Sequence, residues 1–83
     1  MIQNNNDLYS IVNDLIRTLA EANEGELAAA LQDALDISSL SGEILGETRV
    51  QLRRIQKILI YKRRDVRVRV DDAIQYIDSV LNI

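Results

Sequence analysis

"KRRDVRVRVDDA", residues 62–73, admits two readings, and the choice between them fixes the fold class. As a strand with a two-residue period, Val66, Val68 and Val70 line one face, with Arg67 and Arg69 on the other. As a helix at about 100° per residue, Val66 and Val70 join Ala73, Ile74, Ile77, Val80 and Leu81 within an arc of roughly 120°. The helix gathers seven apolar residues on one face where the strand gathers three. A β-hairpin pairing "KILIY" (57–61) with "VRVRV" (66–70) would have to turn through Lys62–Asp65, which offers neither Gly nor Asn. It would also stand as an isolated two-stranded ribbon, which is marginal in water. The stretch therefore predicts a helix over 66–81, N-capped by Asp65, with Val68 left outside its apolar stripe.

The same periodicity runs through the rest of the chain. Leu8, Ile11, Val12, Leu15, Ile16 and Leu19 predict a first helix over 7–22, capped from Asn4-Asn5-Asn6, with Asp7 at the positive end of its dipole. Asn23-Glu24-Gly25 reads as its stop, since Asn and Gly tolerate the left-handed conformation. A second helix over 26–36 buries Leu27, Leu31, Ala34 and Leu35, and its alanines leave it slim. "DISSLSG" breaks the pattern, and Ser39 or Ser41 starts a third helix. That helix is expected over 41–62, with Ile44, Leu45, Thr48, Leu52, Ile55, Ile58 and Leu59 as its core stripe. Gly46 in its interior points to close packing against a neighbour. Short links join all four, so the expected fold is all-α, a compact four-helix bundle in one domain over 1–83.

Composition supports this reading and narrows the chemistry. The chain of 83 residues has no Pro, the chief helix breaker, and only three Gly. It is near the lower size limit for a self-sufficient core, and without Cys or His it has no disulfide or typical zinc site to reinforce it. The same absences exclude a Ser-His-Asp triad and a cysteine nucleophile, and no glycine-rich phosphate loop is present. Glu43 and Glu47, and Asp71-Asp72, read as solvated helix surface rather than as a cation site. No enzyme, cofactor or metal is expected. The N-terminus lacks the form of a signal peptide, and no apolar run approaches a membrane span, so a soluble, cytoplasmic protein is expected.

"ELAAALQDAL…SGEILGETRVQLR", over residues 26–53, resembles short all-α bacterial proteins with a Glu-Leu helix, a Ser/Thr-Gly break and an "EIL…LR" helix. The resemblance implies these helix boundaries and a bacterial or phage origin. It implies no activity.

Charge is divided sharply along the chain. Residues 1–48 hold nine acids against one base, Arg17, and residues 49–83 hold nine bases against four acids. All nine bases lie within 49–69, opposed there only by Asp65. On the third helix, Val50, Arg53, Arg54, Lys57 and Tyr61 follow a helical spacing on the side away from the core stripe, and Arg64, Arg67 and Val68 extend the basic-apolar surface onto the fourth. Arg and Tyr are enriched at interface hot spots because they combine contact area with directional polar groups. These eight residues are the expected partner-binding set of a non-enzymatic interaction or regulatory module, of the immunity-, antitoxin- or adaptor-protein kind, whose partner has an acidic or mixed surface.

Two other readings remain open. The segment 49–69 fits the footprint of a nucleic-acid-binding regulator. Against that stand the sequence pI of about 4.8, the lack of an aromatic stacking platform, and Glu43 and Glu47 at the start of what would be a recognition helix. Alternatively, the acidic and basic halves of separate copies pair in a homo-oligomer.

Overall fold

A computed structural model describes residues 2–36 and 41–82. Within them the chain forms α1 (Asn5–Glu21), α2 (Gly25–Asp36), α3 (Ser41–Ile55), a 3₁₀ turn (Leu59–Lys62) and α4 (Arg64–Leu81), with no strand among the described residues. From Arg64 onward the "KRRDVRVRVDDA" stretch is α-helical, Lys62 closing the 3₁₀ turn and Arg63 standing between the two. Val66, Val70, Ala73, Ile74 and Ile77 are buried, and Val68 is 48% exposed on the opposite side.

Each boundary has a local cause. The Asn4 side chain accepts from the Asp7 backbone N–H at 2.8 Å, and the Asp7 carboxylate accepts from the Gln3 N–H at 3.1 Å, a reciprocal cap on α1. At the other end Asn23 takes the left-handed conformation (φ 62°), and the Glu24 N–H reaches back to the Leu19 carbonyl at 2.8 Å. Gly25 does not share the stop; it is the first residue of α2. Ser41 opens α3, while Ser39 lies outside the described residues. α4 begins at Arg64 and its N-cap is Arg63, not Asp65, which sits within the first turn. There the Asp65 carboxylate accepts two hydrogen bonds from the Arg63 guanidinium and complements the positive end of the helix.

The third helix departs most from expectation. A helix over 41–62 would be about 33 Å long, more than the 30 Å longest dimension of the molecule. Instead α3 ends at Ile55 and the chain tightens, with Lys57 and Ile58 N–H groups bonding to the Arg54 and Ile55 carbonyls. Ile58 is extended, and the 3₁₀ turn follows. Ile58, Ile60 and Tyr61 pack against the core while Leu59, expected inside it, is 77% exposed. Val80, expected on the α4 stripe, is also exposed, at 49%. At Gly46 a Cβ would meet nothing within 4 Å among the described residues, so close packing is not the reason for this glycine.

The helices pack in cyclic order, α1 on α2, α2 on α3, α3 on α4 and α4 on α1. Leu8, Val12, Leu15 and Leu19 of α1 meet Leu27 and Leu31 of α2, Leu45, Leu52 and Ile55 of α3, and the buried residues of α4 in one cluster. Burying each such Leu or Ile contributes about 1.5–3 kcal/mol relative to exposure. Long-range contacts show neighbouring helices to be antiparallel. Tyr76 late in α4 donates to Asn5 at the start of α1 at 2.6 Å, and Tyr9, Gln32, Leu35 and Ile44 line one depression. One end of the bundle thus carries the α1–α2 and α3–α4 connections together.

Candidate functional site: the α3–α4 basic surface

At about 100° per residue, Arg49 and Arg53 of α3, and Gln56 just beyond its end, fall on the flank toward α4, while Arg54 falls on the outer side beside Val50. On α4 the flank toward α3 carries Arg67, Asp71 and Asp78. Side-chain contacts agree with this placement. Arg49 is ion-paired with Asp78, both about a quarter exposed. The Asp71 Oδ1 accepts from the Tyr61 hydroxyl at 2.6 Å and from the Gln56 amide at 3.2 Å. This clamp fixes the 3₁₀ turn against α4. The hydrogen bond to Asp71, helped by partial burial and the carboxylate charge, raises the Tyr61 pKa, while a hydrogen bond with Gln56 and the charge of nearby Arg67 oppose the shift.

Tyr61 is therefore not the outermost member of a continuous α3 face. The helix ends before reaching it, its ring packs on the core, and its hydroxyl is committed to Asp71. Val50, 50% exposed, remains on the outer side of α3 with exposed Arg53, and Arg54 is exposed beside it. Arg54 is held in place: its guanidinium donates to the Gln51 side-chain Oε1 at 2.7 Å, and the Gln51 side-chain Nε2 donates to the Glu47 carboxylate at 3.3 Å. Gln51, only 8% exposed, is a positioning residue that apolar periodicity does not reveal.

Arg64, Arg67 and Val68 are exposed on α4. Arg64, Asp65, Val68 and Arg69 line a shallow surface depression of about 590 Å³ formed wholly by one helix face. The structure thus presents an α3 strip and an α4 strip joined at the Tyr61–Asp71 clamp. Of the nine bases in 49–69, Arg49, Arg63 and Arg69 make ion pairs within the chain. Arg53, Arg54, Lys57, Lys62, Arg64 and Arg67 have no acidic partner among the described residues.

Among the described residues no group of three acids is placed to hold a metal ion, and no helix is long and apolar enough to cross a membrane. Comparison with protein-family models, curated proteins and solved structures returns no match to this chain.

Proposed function

We propose that the chain is a non-enzymatic protein-interaction or regulatory module, of the immunity-, antitoxin- or adaptor-protein kind, that docks an acidic or mixed protein surface. The docking face comprises Val50, Arg53, Arg54 and Lys57 of the α3 side and Arg64, Arg67 and Val68 of α4. The observation that carries this reading is the run of exposed cations left without acidic partners and interspersed with two half-exposed valines. Guanidinium groups beside apolar side chains suit a protein interface, where contact area and directional charge act together. Preorganisation favours the same reading, because the Glu47–Gln51–Arg54 relay and the Tyr61–Asp71 clamp reduce the ordering cost of binding.

Nucleic acid is less well served by this surface. Tyr61 is a single ring, partly buried against the core with its hydroxyl bonded to Asp71, which is a poor platform for base stacking, and the Asp71 carboxylate lies within the seam. The test is capture from a lysate of the source organism with wild-type chain and with the Val50→Ala, Arg54→Ala, Arg67→Ala triple variant. All three side chains are outside the core, so helicity should be unchanged. One stoichiometric protein held by the wild type and lost by the variant is the expected result; equal retention by both sinks the assignment of this face.

A further inference from the structure

We propose that the chain also pairs with a second copy of itself, end to end about a two-fold axis, through the end of the bundle that carries the α1–α2 and α3–α4 connections. The two connections have opposite charge. Glu21, Glu24 and Glu26 lie at the first, and Lys62, Arg63 and Arg64 at the second. No ion pair joins these two corners within the chain among the described residues. A two-fold axis lying in the end face, between the corners, sets the acidic corner of each copy against the basic corner of the other, and does so twice.

Two further features favour this occupant. Leu59 and Lys62 are three residues apart in a 3₁₀ turn, where positions i and i+3 are eclipsed, so both project from the same side. Leu59 is the most exposed large hydrophobic side chain among the described residues, at 77%, and supplies apolar contact beside each charge pair. In addition, some end charges oppose their own helices. Glu21 is the last residue of α1, at the negative end of the dipole, and Lys62 precedes the positive end of α4. An opposite charge from a second copy relieves both.

The two shorter extents of the whole molecule are 24 and 20 Å, so an end face bounded by them falls well below the roughly 800 Å² per partner of a standard stable interface. The dimer is accordingly weak, rapidly exchanging and sensitive to salt. Arg64 belongs to both surfaces, but Glu21, Leu59 and Lys62, the side chains changed in the test, lie outside the proposed partner-docking face, and the test uses the purified chain alone, so either proposal can fail without the other.

Sedimentation equilibrium over a range of chain concentrations, in about 0.05 M and about 0.5 M salt, measures the association. The expected behaviour is a monomer–dimer equilibrium that stops at two copies and weakens in high salt. Glu21→Lys alone and Lys62→Glu alone should each weaken it by about tenfold or more. An equimolar mixture of the two variants should restore it, because both corner contacts again join opposite charges. Leu59→Ser should weaken it without changing the unfolding midpoint. A chain that stays monomeric at every concentration overturns the proposal. So does assembly that continues past two copies, or a dimer indifferent to salt and to both charge reversals.

Discussion

Thr48 is fully buried in α3, and its Oγ1 has no hydrogen-bond partner among the described residues. A hydroxyl desolvated without compensation costs about 1–3 kcal/mol. Thr48→Val, which keeps the shape and removes the polar atom, should raise stability by about 1 kcal/mol in urea unfolding. Asp65 makes a second residue-level prediction. Its hydrogen bonds from Arg63 hold its carboxyl below the ordinary aspartate pKa, with the Arg63 charge and backbone N–H groups acting in the same direction against partial burial. A carboxyl whose pKa is lower folded than unfolded binds protons more readily in the unfolded chain. The stability it contributes is therefore present above the ordinary aspartate range and is lost as pH falls through the folded value. Amide exchange at Val66–Arg69 should accelerate over that acidic window in the wild type, while Asp65→Asn, which lacks the titrating group, should show no such step.

At the scale of the element, Gly46 is the clearest misfit between sequence and packing. Mid-helix glycine costs about 0.5–1 kcal/mol relative to alanine, and the expected reason, a close neighbour, is absent because a Cβ there meets nothing within 4 Å among the described residues. Gly46→Ala should therefore stabilise the fold by about that amount in thermal or denaturant unfolding, with the helix boundaries unchanged. Helix existence was legible because the apolar stripes are strongly periodic; Leu8, Val12, Leu15 and Leu19 are all buried as their spacing requires. The end of α3 was not. "KILIY" continues the apolar stripe of the preceding helix, and only the requirement that α4 fold back along α3 interrupts it. Once interrupted, Leu59 leaves the core and Tyr61 leaves the α3 face for Asp71. The exposure of Val50 and Val68 was legible from the same wheels. The Gln51–Arg54 relay and the Tyr61–Asp71 clamp were not, because they join polar groups that carry no periodic signal and, in the second case, meet only through the tertiary fold.

Across the whole molecule, the division of charge along the sequence becomes a division between neighbouring sides of a bundle. The acidic α1–α2 pair stands beside the α3–α4 pair, and the fold consumes three of the basic side chains in internal ion pairs. Of the six that remain, Arg53, Arg54, Lys57, Arg64 and Arg67, with Val50 and Val68, form the proposed docking face, whose partner is expected to present an acidic or mixed surface. The measurement that tests this most directly is capture with the intact chain from a lysate of the source organism, with and without nuclease treatment, followed by quantification of both protein and nucleic acid retained. The account predicts one protein at near-equal stoichiometry, with an acidic contact surface, retained equally after nuclease treatment. Retention of nucleic acid alone, falling steeply with salt and abolished by nuclease, would contradict it.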